Sequence, residues 1–458
     1  MKTDLNISDH EILQALADWN DWNRPEPETV PRPFYENRLR ALSATGEIVV
    51  LQGVRRCGKS TILRNAVRSL LAEGVPQSDI LFLNMEDPRF MGDLTPALLN
   101  RIRELHKRHF RPAGPPHIFL DEVQNIPGFD KWLLTEYELR RSRLYVTGSN
   151  AHLLGREIGT VLSGRYLPLT VHPLSFAEFL SFRGMSVTTP LDLVRLRVEI
   201  AGAFDDYLTW GAFPRVARIE DPEVKKLELR AYFDSILLRD VAARHRLDSV
   251  ESLLNLSRYL LANTATILSL NSLKGKGSFG SSYHLLNSYV EYLEGAFLVN
   301  RLPLFDWSLQ RRAANPKKIH AVDTGLSAVA CGFARRDSGK LLETVVINEM
   351  LRLGWELYYG KTGKGFEVDC IALKDGRIHL LIQVCQEMGD PKTRNREIRA
   401  LCRAAVDIPY ARDARLLILS QGPGEVIRHD GLEIQVVDVI EWLLGAELKT
   451  PFPEPSAG

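Results

Sequence analysis

The run Gly53-Val54-Arg55-Arg56-Cys57-Gly58-Lys59-Ser60 constrains this chain more than any other stretch. It fits G-x-x-x-x-G-K-[ST], follows the apolar segment Glu47 to Gln52, and opens a helix-like run from Thr61 to Leu71. Strand, glycine-rich loop and helix in that order turn successive backbone N–H groups toward a polyphosphate at the positive end of the helix. The residues Gly53, Val54, Arg55, Arg56, Cys57, Gly58, Lys59, Ser60 and Thr61 form the expected cradle. Within it Lys59 reaches the β- and γ-phosphates and the Ser60 hydroxyl ligates Mg²⁺, which makes ATP and Mg²⁺ the expected cofactors. The competing explanation is a glycine-rich turn that matches by chance.

The rest of the chain has room for more than this module. Its 458 residues allow about three ordinary domains. A hydrophobic share of 45% beside 25% charged residues describes globular protein. The net charge is only +1, so any nucleic-acid surface must be local. No apolar run approaches the roughly 18 residues that span a bilayer, and Met1 to Asn20 carries Asp4, Asp9 and Glu11 where a signal peptide would be basic and then apolar. The expectation is a cytoplasmic protein with no membrane partner. Cys57, Cys331, Cys370, Cys385 and Cys402 are scattered without a C-x-x-C pair, against a disulfide framework or a zinc site.

Apolar runs at 47–52, 80–84, 117–121, 143–147 and 166–170 alternate with helical segments, which predicts an α/β fold with a parallel sheet covered on both faces. The run His117 to Glu122 ends a strand in two carboxylates at the edge where phosphates bind. Asp121 is the candidate Mg²⁺ ligand and Glu122 the residue that polarises the attacking water. The same pair also reads as a plain helix N-terminal signal. After the strand ending at Thr147-Gly148, Ser149 and Asn150 are placed either to contact the γ-phosphate or its water, or to cap a helix over Ala151 to Leu154.

From Val49 to Leu180 the chain resembles the AAA+-type ATPase module of a large bacterial and archaeal family of uncharacterised ATPases. The resemblance rests on the phosphate loop, Leu120-Asp121-Glu122-Val123-Gln124, Thr147-Gly148-Ser149-Asn150, and Ser163-Gly164-Arg165 ahead of Pro173 to Phe179. It implies that Arg165 contacts the terminal phosphate, the alternative being a solvated surface arginine. Tyr207 to Pro214, Leu237 to Val241 and Pro316 to Leu326 resemble segments that follow the module in the same family.

Between them, helices are predicted over Phe204–Trp210, Glu223–Leu238 and Ser249–Ala262. Ile267 to Leu273, a Gly/Ser turn and the amphipathic run Tyr283 to Phe297 read as a helix-turn-helix, with Leu298 to Phe305 as a wing strand. Winged helices contact DNA or dock proteins, and Lys274 and Lys276 supply only a modest basic patch. Gly275, Gly277 and Gly280 fit G-x-G-x-x-G outside any βαβ setting and are not expected to bind a dinucleotide. A third α/β unit follows, with a helix from Lys340 to Leu353 and strands beginning at Glu356, Glu367, Leu380 and Leu416. It resembles the restriction-endonuclease fold, with Glu343 and Asp369 standing where that fold has metal-binding carboxylates. Where the fold has Glu-x-Lys this chain reads Gln383-Val384-Cys385, which removes an anionic ligand and the positive charge, so nuclease activity is not expected.

The predicted organisation is a lead-in over 1–30, an AAA+-type ATPase domain over 31–182, a helical and winged-helix-like region over 204–312, a restriction-endonuclease-like domain over 313–446 and a tail over 447–458. The predicted function is Mg²⁺-dependent ATP hydrolysis that drives or gates the later domains, acting on DNA. The alternative is a nucleotide-gated protein-binding switch with slow turnover, and self-association into a homo-oligomer is left open. Cys57, beside Arg55, Arg56 and Lys59 at a helix N-terminus, reads either as an activated thiolate or as a small loop filler.

Overall fold

The computed structural model describes residues 5–22, 29–150, 159–247, 250–275, 279, 282–334, 336–363 and 365–448. Arg24 to Pro27 of the lead-in, the stretch Ala151 to Leu154, residues Lys276, Gly277 and Gly280, and positions 449–458 of the tail lie outside them. The chain divides into two compact units, Met1–Val171 and His172–Gly458.

In the first unit, β1 (Ile48–Gln52), β2 (Ile80–Asn84), β3 (His117–Asp121), β4 (Arg143–Gly148) and β5 (Tyr166–Thr170) form one sheet in the order β2-β3-β4-β1-β5. Every pairing is parallel. The parallel sheet flanked by helices is that of a P-loop NTPase fold, as the α/β prediction required. These strands are short, nearly continuous apolar runs because both sheet faces are covered. Alternate residues (Ile48, Val50, Leu81, Leu83, Ile118, Leu120, Leu144 and Val146) pack in one core with α1 (Asp9–Trp19), α4 (Pro96–Phe110) and α5 (Phe129–Glu138). On the opposite face the rings of Phe82, Phe119 and Tyr145 stack from strand to strand, Phe119 and Tyr145 at 4.3 Å between centroids. Truncating Phe119 to alanine would cost about 3–5 kcal/mol, the usual loss for a buried aromatic. On α2 (Pro33–Ser43) and α3 (Lys59–Ala72), Tyr35, Leu39, Ile62 and Leu63 are buried.

The second unit opens with α6 (Phe176–Phe182), held by a reciprocal cap between Ser175 and Glu178, and continues through α7 (Arg197–Trp210), α8 (Pro222–Ser235) and α9 (Val250–Ala262). From Ile236 to Ala243 the backbone is π-helical, where sequence periodicity predicts an unbroken α-helix to Leu238. Next come β6 (Thr266–Leu268), a one-turn helix Leu270–Leu273, α10 (Tyr283–Gly295), β7 (Val299–Pro303) and β8 (Lys317–Ala321). The first part of the expected helix at Ile267 is therefore strand: Thr266 to Leu268 pair antiparallel with Ile319 to Lys317. Tertiary pairing overrides the helical pattern here, where Thr266 and Ile267 are β-branched. The three strands lie in the order β6-β8-β7.

Two of the family-like segments meet at Asp323. Its carboxylate accepts from Ala212 N at 2.6 Å and from Gly325 N at 2.8 Å, capping α11 (Thr324–Ala330). Gly211 and Gly325 are required here, since a Cβ on Gly211 would come 2.1 Å from Asp323 Oδ1 and one on Gly325 2.2 Å from Trp210 O.

The last sheet has six strands, β9 (Glu356–Lys361), β10 (Glu367–Lys374), β11 (Arg377–Val384), β12 (Arg415–Ser420), β13 (Glu425–His429) and β14 (Leu432–Asp438), in the order β13-β14-β12-β11-β10-β9. One face packs with α12 (Ser338–Arg352) and α14 (Val439–Leu448), the other with α13 (Pro391–Asp407). The pair β13 and β14 has no counterpart in the sequence prediction, because β13 is an exposed edge without an apolar run.

Candidate nucleotide site and a carboxylate cavity

The loop between β1 and α3 is built on left-handed backbone. Gly53 has φ 148°, Arg56 70° and Gly58 104°. Gly53 also lies so close to the end of β5 that a Cβ would stand 2.1 Å from Val171 O. The loop is anchored from outside as well: Arg32 Nη1 donates to Cys57 O at 2.8 Å and Cys57 Sγ to Val171 O at 3.2 Å. Lys59 is buried, and its Nζ donates to the carbonyls of Gly53 at 2.9 Å and Val54 at 3.1 Å. Arg55 turns to Glu86 at 2.7 Å, whereas Arg56 and Thr61 are exposed.

The carboxylates of the β3 end come to the same place. Asp121 Oδ1 accepts from Thr147 Oγ1 at 2.6 Å, and Ser60 also hydrogen-bonds Asp121. Thr147 Oγ1 in turn accepts from Glu122 N at 2.8 Å. One hydroxyl from β4 thereby fixes both Asp121 and Glu122, a role sequence reasoning did not assign. The residues showed only a hydroxyl near the end of an apolar strand, and its full burial is what the structure adds. Burial lifts the Asp121 carboxyl above the usual range, reinforced by the Glu122 charge and opposed by Thr147, Ser60 and Lys59. A carboxylate in that position gains from a nearby cation, and the Ser60 hydroxyl with Asp121 offers the hard oxygen ligands Mg²⁺ prefers. Glu122 adopts φ 56°, and Gln124 Nε2 donates to its Oε2. The buried Ser149 Oγ has no hydrogen-bond partner among the described residues, and Asn150 is buried beside it in sequence.

For Cys57 and Arg165 the sequence left two readings each. Cys57 is fully buried, and burial raises its thiol pKa against the pull of Lys59 and Arg32, so it is the loop filler and not an activated thiolate. Arg165 is not brought to the loop of its own chain. Its carbonyl pairs with Ile48 N at the start of β1, whereas the loop follows Gln52 at the end of that strand, about 13 Å away at 3.3 Å per residue. Its Nε binds Glu138 at 2.6 Å.

A second constellation lies in the other unit. The ammonium of Lys318, on β8, is 2.6 Å from Glu343 Oε1, 2.9 Å from Glu367 Oε1 and 3.1 Å from Asp369 Oδ1. Burial would lower its pKa, but Asp369, Glu343 and Glu367 together outweigh that and hold it charged. Asp369 is fixed further by Val384 N at 3.0 Å, and Gln383 bridges Asp369 N at 2.7 Å to Glu397 at 2.5 Å. Glu343, Glu367, Asp369, Gln383 and Glu397 line an open cavity of about 860 Å³. The one cation among these three carboxylates in the described residues is thus Lys318, which comes from a strand of another sheet. Sequence reasoning missed it because no local motif links β8 to β10. Among the described residues no group of three or more His, Cys, Asp and Glu side chains is arranged to hold a metal ion. No helix among them is long and apolar enough to cross a membrane.

Residues 45–180 match the family model described as an AAA domain. Residues 201–337 match a domain of unknown function. An uncharacterized protein of Methanocaldococcus jannaschii is 29% identical over 410 residues, covering 87% of this chain and 88% of its own. One of Haemophilus influenzae is 28% identical over 421 residues, covering 91% and 98%. Among solved structures, the Walker-type ATPase paby2304 of Pyrococcus abyssi aligns with a TM-score of 0.47 at 14% identity, over 68% of this chain and 99% of its own. The AMPPCP-bound DnaA of Aquifex aeolicus aligns at 0.25 and 14% identity, over 58% of this chain and 88% of its own.

Proposed function

We infer that this protein is a Mg²⁺-dependent ATPase of AAA+ type whose hydrolysis cycle acts through its second unit on nucleic acid. The observation that carries the ATPase reading is the Thr147 hydroxyl shared by Asp121 and Glu122 beside the phosphate loop. The N–H groups of Gly53 to Thr61 bind the phosphates, and Lys59 offsets their charge. Mg²⁺, held by Ser60 and Asp121, would neutralise charge developing on the β- and γ-phosphates. Glu122 orients and polarises the attacking water, and Ser149 and Asn150 hydrogen-bond the water or the γ-phosphate. The test compares nucleotide affinity and phosphate release in Lys59→Ala and Glu122→Gln. Loss of binding in the first, and retained binding with at least a hundredfold loss of turnover in the second, is expected for a positioned base worth about 10²–10⁴ in rate. Normal turnover in Glu122→Gln overturns the assignment.

Slow turnover has its own support. The hydrogen bond from Gln124 occupies a Glu122 carboxylate oxygen, which suits a nucleotide-gated switch. Arg165, remote from its own loop, acts on the nucleotide of a neighbouring copy if the chain assembles. In the second unit the order β6-β8-β7 with α9, the one-turn helix and α10 supports a winged-helix-like arrangement, and the Glu343–Asp369 pair on α12 and β10 supports a restriction-endonuclease-like one. We assign no nuclease activity to it, because the Lys318 ammonium already occupies the carboxylates a metal ion would need. Cleavage of DNA or RNA with Mg²⁺ or Mn²⁺ that disappears in Asp369→Ala would contradict this.

A further inference from the structure

Helix α13 (Pro391–Asp407) is two-sided. It buries Ile398, Leu401, Cys402, Ala404 and Ala405 in the sheet core, while Lys392, Arg396, Arg399 and Arg403 are exposed. The spacing of four, three and four residues puts these cations on one stripe, about 16 Å long at 1.5 Å per residue. Arg396 binds Glu397 at 2.5 Å, but Lys392, Arg399 and Arg403 form no ion pair with any described residue. A chain with a net charge of only +1 has gathered unpaired cations on one helix face. Just past the helix, Tyr410 is 82% exposed and Trp307 40% exposed. Their rings meet edge to face at 5.6 Å, and Trp307 Nε1 donates to Pro409 O at 3.4 Å, which fixes the pair at the helix end. Tyr410 holds φ 66°, a left-handed conformation unusual for a tyrosine whose ring gains little from burial.

We propose that the stripe Lys392, Arg396, Arg399 and Arg403, with Tyr410 at its end, binds single-stranded nucleic acid, phosphates on the helix and an unpaired base on the ring. Guanidinium and ammonium groups suit phosphate oxygens, and an exposed ring offers a stacking platform that a base inside a duplex cannot use. An acidic peptide would satisfy the cations and leave the ring without a role. The proposal deepens the nucleic-acid part of the function above and rests on it, but it moves the contact from the helix-turn-helix to α13. Its test requires no hydrolysis.

Fluorescence anisotropy of the full chain, without nucleotide, is measured with labelled oligo-dT, oligo-U, a duplex of equal length and poly-glutamate over a range of KCl. Oligo-dT or oligo-U is expected to bind with log K falling against log salt at a slope of about −2 to −3, as three to four neutralised phosphates require. Comparing the two distinguishes DNA from RNA as the source of the strand. Arg399→Glu/Arg403→Glu should weaken binding at least tenfold while its thermal melt and basal ATPase match wild type. Tyr410→Ala should weaken it about tenfold with the salt slope unchanged, as for one lost stack. No binding of either single strand, preference for duplex or poly-glutamate, or equal affinity in Arg399→Glu/Arg403→Glu overturns the proposal. So does loss of binding in Lys274→Glu with retention in the α13 variant. Binding retained by Lys59→Ala separates this outcome from failure of the ATPase assignment.

Discussion

Lys318 Nζ lies 2.6 Å from Glu343 Oε1, with both residues buried. This contact joins β8, in a three-stranded sheet, to α12, which covers a six-stranded one. Removing one member of such a pair leaves uncompensated charge, which typically costs about 3–5 kcal/mol. Lys318→Met should therefore melt well below wild type. Because Glu343, Glu367 and Asp369 would then face one another without a cation, Mn²⁺ should restore part of the loss in the variant and little in wild type, both measured without nucleotide. A melt that Mn²⁺ does not move in Lys318→Met rules out the ammonium as the stand-in for a metal ion.

His320, two residues along β8, is fully buried, with Nε2 3.6 Å from Glu343 Oε1 and neither ring nitrogen hydrogen-bonded to any described residue. Burial, helped by the Lys318 charge, holds its pKa well below the ordinary value. An unfolded chain takes up a proton below pH about 6.5 that the native core refuses, so this group's contribution to stability is present above that pH and is lost as pH falls. Wild-type stability should drop more steeply than that of His320→Phe below pH 6.5, by up to about 1.4 kcal/mol per pH unit. Parallel pH profiles from denaturant titrations would refute it.

Gln124 restrains Glu122 through a side-chain hydrogen bond. Gln124→Ala should raise basal ATP turnover severalfold with nucleotide affinity unchanged. A fall in turnover would mean that Gln124 positions Glu122 productively, and the switch interpretation would fail.

Cys57 is closed off beneath the loop, donating to Val171 O. Native protein treated with iodoacetamide should show no modification at Cys57 by mass spectrometry, with or without nucleotide, while the partly exposed Cys331 reacts. Nucleotide-sensitive labelling of Cys57 would restore the reactive-thiolate explanation.

Arg165 stands at the opposite end of β1 from the phosphate loop. Arg165→Ala should leave nucleotide affinity intact and abolish only the part of the specific ATPase rate that rises with protein concentration. A loss of affinity at all concentrations would place Arg165 on its own nucleotide.

The phosphate-loop unit was legible in the residues alone, because there local chemistry and tertiary role coincide. Gly53 and Gly58 are needed for the left-handed turn, Lys59 for its charge, and the Asp121-Glu122 pair ends an apolar strand whose C-terminal edge a parallel sheet necessarily brings to the loop. Contacts between residues far apart in the chain were not legible there. Packing across the assembled sheet shows that Thr147 holds both carboxylates, that Arg165 faces away from its own loop, and that burial keeps Cys57 a thiol. The same holds for Lys318, whose partners stand 25, 49 and 51 residues away at Glu343, Glu367 and Asp369. A helix or strand period records which face of an element is buried, but it does not record which element covers that face. The charge balance of a buried cluster is therefore set by packing, and it becomes readable only when the sheets are assembled.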